Sequence, residues 1–428
     1  MKMYKKYFFR PIQHGLTTEF TPLNQPFTLS SWGTKNMRIF ESSAKKRWGY
    51  NTVDKSLGTT VYHVILYQTT GGSRYTLYLT GTDLCSRESA GTWSYKTDTY
   101  VTGNITTISG ATVTGSGTSW SGNVAAGDYF ILNEDHASTS EPDTSWRAIS
   151  VVDAGGTQLT LSSAYEKDVA AVSKPYKIRK PFDSLPSNER WNWAVVNDIF
   201  VFTNGSVNVQ KWVGGDTYAT NLETGLGQAI KARYCIEYAN RLFIQDYGTS
   251  RNPLALGWSK EGDPTNWTDN TSGDLEMLDS AGYGMGLGKS GTSLVVFQED
   301  LINFYNKTGI SFAPIVRTGQ RLGLGCSAPY GILEIRGSCA FIGKEDFYVL
   351  DGDFPQSIGE KIRDKFFSIV GRTERKKVFG WHIPELNEAI WVANTSEGKL
   401  AFAWDYKRDE WNIGEFSNDI MTIGMGAL

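Results

Sequence analysis

The sequence is poor in the side chains that most often carry chemistry: among 428 residues it has four cysteines and four histidines. Cys85, Cys235, Cys326 and Cys339 form no CxxC pair and no cysteine/histidine ligand spacing, so buried thiols are expected rather than a metal centre. His14, His63, His136 and His382 fall in four different segments and make no metal site either. No Gly-x-Ser-x-Gly turn, phosphate loop or dinucleotide fingerprint is present. Long apolar runs are also missing: nothing approaches the roughly 18 residues of a membrane-spanning helix. The opening MKMYKKYFFRPIQHG is basic but lacks an apolar core segment and a small-residue cleavage site. Synthesis and folding in the cytoplasm are therefore the expectation. Finally, charge imbalance is lacking, since 42 Lys+Arg against 45 Asp+Glu leave −3 and a pI of about 5.9. That argues against a broad basic surface that grips nucleic acid, but not against a protein past which nucleic acid slides.

What is present is core and turn. Hydrophobic residues make up 40% and aromatics 13%, enough to exclude general disorder, while 45 glycines and little helical periodicity point to many turns. Residues 319–362 contain three short strands in succession, APYGILEI, SCAFIG and DFYVLDG, each closed by a turn signal. The middle strand recurs: NDIFVF from Asn197, NRLFIQ from Asn240, TSLVVF from Thr292, GSCAFI from Gly337 and NEAIWV from Asn387. Anchored at Ile199, Leu242, Leu294, Cys339 and Ala389, the steps are 43, 52, 45 and 50 residues, the period of four-stranded propeller blades. A sixth copy, SRYTLYL, lies 124 residues before Ile199 when anchored at Tyr75, and setting residues 101–180 aside reduces that step to 44. An ordinary all-β meander with evenly spaced hairpins would give a similar pattern.

The fold class expected is therefore all-β: a β-propeller of about six blades with an inserted small β-barrel or sandwich module. Residues 1–60 form an N-terminal arm and a leading hairpin, 61–100 the first blade, 101–180 the insertion, and 181–428 the remaining blades with a closing strand. Pro11, Pro22 and Pro26 break any long element in the arm, and MRIFESS with KKRWGY suits a hairpin. The first blade is expected to use VYHVILY, RYTLYLT and TWSYKT as strands. The insertion turns abruptly to Thr, Ser, Gly and Val, and Trp120, Phe130, Trp146, Ile149, Leu159 and Leu161 would fill its core. Its outward face would be open to partners. The third strand of each unit ends at Trp212, Trp258, Tyr305, Leu350 or Trp404, for which packing between sheets is the expected role. DIMTIGMG (419–426) resembles a first blade strand and is expected to close the ring against the sheet beginning near Val61. EKIRDKFFSIV (360–370) suits a short helix between blades, continued by the basic GRTERKKVF; a DNA-facing or ring-facing helix is the sharper alternative.

Few residues invite a catalytic reading. SKEGDPTNW (259–267) resembles the Asp-box turn of sialidase propellers, a structural motif even there. Asp246, Glu261, Asp263, Glu299 and Asp300 are carboxylates of the kind glycoside hydrolysis needs, but their spacing selects no pair. The DGD turn at 351–353 has too few oxygens for calcium. The expectation is no catalytic residue, no cofactor, no metal and no enzyme.

Taken in order, NDIFVFTNGSVNVQKW (197–212), NRLFIQDYGTSRNPLALGWSKEGDPTNWT (240–268), LVVFQEDLINFY (294–305) and GLGCSAPYGILEIRGSCAFIGKEDFYVLDGDFPQSIGEKI (323–362) resemble the tail hub or nozzle proteins of tailed bacteriophages. ESSAKKRWGYNT (41–52) is similar to their opening, and ATVTGSGTSWSGNVAAGDYF (111–130) resembles small β modules of phage structural proteins. The long additional domains of some nozzle proteins have no counterpart. The resemblance implies a homo-oligomeric ring of six copies in the virion tail, assembled in the host bacterial cytoplasm. Its implied partners are the portal and adaptor proteins, tail fibres or spikes, and double-stranded DNA held transiently and without sequence preference in the lumen. Two alternatives stay open: a glycan-recognising or glycan-cleaving tail propeller, and a cellular interaction scaffold, for which Trp404-Asp405 is the one matching dipeptide.

Overall fold

The recurring turn ahead of each middle strand has a backbone cause. Asn197 and Asp198 sit at φ 47° and 63°, Ala239 and Asn240 at 51° and 58°, and Arg336 and Gly337 at 51° and 77°. Two-residue hairpins whose twist matches the flanking strands need positive φ at both central residues, which Asn, Asp and Gly adopt at least cost. Gly291 (57°) and Asn387 (54°) serve the corresponding hairpins of two further units.

The computed structural model describes residues 37–40, 43–46, 59–88, 93–136, 145–170, 172–186, 189–222, 230–279 and 282–415. It is a six-bladed β-propeller, each blade a four-stranded antiparallel meander. Blade 1 comprises Val61–Gln68, Arg74–Thr80, Leu84–Glu88 and Trp93–Tyr95. Blade 2 comprises Asn192–Val196, Ile199–Thr203, Gln210–Val213 and Thr220–Asn221. Blade 3 runs Lys231–Tyr238, Arg241–Gly248, Asn252–Trp258 and Gly273–Glu276. Blade 4 runs Gly284–Ser290, Ser293–Gln298, Leu301–Lys307 and Ile315–Leu322. Blade 5 is Leu333–Ile335, Ser338–Ile342, Phe347–Asp351 and Phe354–Ser357, and blade 6 is Phe379–Ile383, Glu388–Thr395, Gly398–Asp405 and Glu410–Glu415. All six anchors of the sequence repeat fall in second strands. In blade 1 the segment TWSYKT supplies the fourth strand. The third is Leu84–Glu88, whose mixed composition hides it in the sequence although Leu84, Cys85 and Ser86 are buried between its two neighbours.

The third-strand residues Trp212, Trp258, Tyr305, Leu350 and Trp404 are all buried, as sheet packing demands. Blades 5 and 6 share one apolar cluster in which the Phe347 ring lies 5.2 Å from Trp391 and 4.9 Å from Trp411. The connection between these blades contains the helix Arg363–Ile369 and the single turn Arg372–Arg375. Ile362, Phe366 and Val370 of this connection are buried in the same cluster, so the helix is a packed linker.

Among the described residues one compact unit holds 37–40, 43–46, 189–196, 230–279 and 282–415, and the other holds 59–88, 93–136, 145–170, 172–186 and 197–222. Within the second unit the insertion forms its own seven-stranded sheet, from Thr99–Tyr100 to Tyr176–Arg179. Bridges Ile105 to Lys174 and Ile108 to Val169 bring its first long strand against the returning chain, which curls the sheet toward a barrel. Trp120, Phe130, Ile149, Leu159 and Leu161 fill its core together with Tyr165 and Tyr176. Trp146 does not: its ring packs 5.7 Å from His136 and 5.4 Å from the Arg179 guanidinium, at the root of the module. There Arg179 forms a buried ion pair with Asp83 of blade 1 and lies 4.0 Å from the Tyr95 ring and 4.6 Å from Tyr129. Met37–Phe40 and Ser43–Lys46 pair as the expected hairpin. The arm before it and the proposed closing strand 419–426 lie outside the described residues; blades 1 and 6 each have four strands without it.

Candidate functional site

Turns between second and third strands bring charged residues to one edge of neighbouring blades. Glu299 and Asp300 form that turn in blade 4, and Lys344 and Glu345 belong to it in blade 5. They line a cavity of about 300 Å³ with Met285, Cys326, Ser327 and the cations Arg372, Arg375 and Lys376 of the interblade connection. Lys344 pairs with Asp300, and Lys376 Nζ lies 3.5 Å from Glu299 Oε1. Arg375 is fixed differently. Its Nε donates to the Val370 carbonyl at 3.2 Å and Nη1 to the Lys344 carbonyl at 3.0 Å, and its guanidinium stands 4.4 Å from the Phe367 ring. Burial, reinforced by neighbouring Arg372, lowers its pKa from the usual guanidinium value. Ser327 donates its hydroxyl to the Gly343 carbonyl at 2.6 Å, and buried Cys326 has its thiol pushed up to about 12 by desolvation. The Glu299–Asp300 turn approaches the chain so closely that a Cβ at Gly325 would collide with the Glu299 carbonyl.

The other sequence candidates do not join them. Asp263 holds its own loop: Oδ1 accepts the Thr265 backbone N–H at 3.0 Å and the Thr265 hydroxyl at 2.6 Å, while the Trp267 indole donates to the Pro264 carbonyl at 2.8 Å. The Asp-box-like turn is therefore spent on structure. Glu261 lies 3.6 Å from Arg241 and 3.7 Å from Lys307. Asp246 sits at a bulge in blade 3 with φ 52° and pairs with Arg251 at 2.6 Å, its pKa raised by burial. The structure thus brings together Glu299 and Asp300, each neutralised by a lysine, and leaves Asp246, Glu261 and Asp263 elsewhere. The four cations of the cavity were legible only as the basic run GRTERKKVF and Lys344; that they meet a blade turn is a tertiary fact.

A second polar cluster lies deeper. Glu189 pairs with Arg233 at 2.7 Å and accepts the Tyr330 hydroxyl at 2.6 Å, and the buried Tyr234 ring is 6.1 Å from Tyr330. Desolvation pushes both phenols upward, so they stay protonated. All four cysteines are buried free thiols. His382 lies 3.0 Å from the Tyr406 hydroxyl and His136 beside Trp146, while His14 is outside the described residues. Among the described residues no three histidine, cysteine or carboxylate side chains gather as metal ligands, the DGD turn included, and no helix is long and apolar enough to cross a membrane.

No family model matches the sequence, and no curated protein matches it significantly. Solved structures similar to this chain include the computationally designed Ika8 protein, at 8% identity and a TM-score of 0.35 over 82% of this chain and 86% of that one. A catalytically inactive virginiamycin B lyase from Staphylococcus aureus with quinupristin aligns at 10% identity and a TM-score of 0.33, covering 82% and 96%. The phage phi92 endosialidase aligns at 12% identity and a TM-score of 0.24, covering 72% and 55%. At these values the likenesses say nothing about chemistry.

Proposed function

We propose that the chain is a structural, non-catalytic subunit of a phage tail hub or nozzle, a ring of six copies below the portal and adaptor that continues the DNA path. The observation that carries this reading is the outer edge of blade 4. Phe312, Val316 and Leu322 are 73%, 52% and 74% exposed along or beside its last strand, and Phe354 of blade 5 is 68% exposed next to Arg321. An unpaired edge strand flanked by large apolar side chains is a surface that a monomer in water would have to blunt, and that a subunit interface uses. Its occupant in this reading is a different patch of a second copy, the head-to-tail contact from which closed rings are built. The ordered resemblance of four long segments to tail hub proteins supports the same reading. A net charge of −3 suits a wall that must release DNA, because each lysine–phosphate contact adds salt-dependent affinity. The barrel-like insertion would serve as the platform for fibres, spikes or neighbouring subunits.

Cryo-electron microscopy of the portal vertex of the particle that carries this chain tests the proposal. Copies arranged around the DNA axis below the portal are the expected result; density at the tail periphery alone would overturn it. The cavity beside blades 4 and 5 favours a second reading, recognition of glycan at the tail surface, for which peripheral density is the expected result.

A further inference from the structure

Three carboxylates and four cations line the cavity of blades 4 and 5, and they do not cancel. Lys344 with Asp300 and Lys376 with Glu299 form two ion pairs, which leaves Arg372 and Arg375 against Glu345 alone. Arg375 takes two backbone carbonyls as partners and no carboxylate, and Arg372 has no ion-pair partner among the described residues. Carbonyl partners orient a guanidinium without neutralising it. Two guanidiniums so placed at the wall of a cavity are completed by an oxyanion, which arginine binds with its planar fork of donors.

The rest of the lining narrows the ligand. Glu345 can accept hydrogen bonds from hydroxyl groups, and Ser327, whose proton is given to Gly343, can accept one more. Met285 and Cys326 offer an apolar floor against which C–H groups can rest. A volume of about 300 Å³ lies at the small end of ligand pockets. It has room for one sugar ring and none for a duplex. We propose that this cavity binds a small polyhydroxylated ligand bearing a single oxyanion, carboxylate or phosphate, as in one acidic or phosphorylated sugar unit. The inference rests on the glycan reading and is independent of ring formation.

The test is calorimetry and saturation-transfer NMR on the full chain with four probes: glucuronate, glucose 1-phosphate, glucose and inorganic phosphate. The expected result is that one of the two acidic sugars binds at least about tenfold more tightly than glucose or inorganic phosphate, with the preferred acid naming the source. Arg372→Gln and Arg375→Gln should each weaken that binding by about tenfold. Arg372 is exposed, so its variant keeps the fold even where loss of the Arg375 contacts disturbs the connection. Glucose or inorganic phosphate binding as well as the acidic sugars, no binding of any probe, or binding unchanged in both variants would each overturn the proposal. Binding of an intact acidic glycan that both variants retain would preserve the glycan reading and remove this cavity from it.

Discussion

Glu189 and Tyr330 are 141 residues apart in the chain, yet the Tyr330 hydroxyl donates to Glu189 Oε2 at 2.6 Å. Arg233 meets the other carboxylate oxygen at 2.7 Å, and both charged side chains are 15% exposed. A carboxylate so used holds three separate segments of one unit to a common point. Its removal leaves Arg233 desolvated without a counter-charge. Glu189→Ala should therefore cost about 3–5 kcal/mol, and Glu189→Gln, which keeps an acceptor for Tyr330, should cost less. Urea unfolding of both variants checks this; equal losses would mean that the charge facing Arg233, and not the acceptor for Tyr330, is what Glu189 supplies.

The inserted module has its own buried polar link. The Trp120 indole donates to the Tyr176 hydroxyl at 2.8 Å, and that hydroxyl donates in turn to the Thr102 carbonyl. Tyr176→Phe should strand both groups and cost about 1–3 kcal/mol. Because the module core is separate from the blade cores, a near-ultraviolet signal from Trp120 should fall at lower temperature than the signal of the blades.

The outer edge of blade 4 makes an opposite prediction, a change in assembly without a change in stability. Phe312→Asp with Leu322→Asp should abolish self-association in sedimentation experiments, while the melting temperature of the monomer moves little. Exposed substitutions of this kind usually alter stability by no more than about 0.5 kcal/mol. Rings that persist in the double variant would remove this edge from the interface.

His382 supplies a pH dependence whose sign follows from its surroundings. Burial, assisted by the nearby Arg336 charge, lowers its pKa from 6.5, so the folded state prefers the neutral ring. The unfolded chain then binds the proton more readily, and the contribution of His382 to stability is full above pH 6.5 and is lost as pH falls through the folded value. The difference in unfolding free energy between wild type and His382→Gln should shrink as the pH is lowered from 7.5 to 5. A difference that stays constant across that range would contradict the assignment.

Much of the fold was written locally. The turns before each second strand require positive φ, and the residues that tolerate it stand at Asn197, Asn240, Gly291, Gly337 and Asn387, so blade spacing could be read directly. The abrupt change in composition near residue 101 marked the insertion within two residues of its first strand, Thr99–Tyr100. Leu84–Glu88 escaped because burial in the middle of a sheet needs no apolar alternation when both neighbours are already in place. Trp146, expected in the module core, packs instead against Arg179 and His136 for a related reason: its hydrophobicity is legible in the sequence, but the buried Arg179 it meets is not.

The sequence alone determined the all-β class, the six units, the insertion and the burial of the recurring aromatics, because each depends on contacts between residues near in the chain. The tertiary structure decided where charge is left uncompensated. Glu299, Asp300, Lys344 and Arg375 lie in three separate turns, and no periodicity relates them. Coulombic balance falls off with distance in space, not in sequence, so which cations are neutralised and which remain available to a ligand became visible only once the blades were packed.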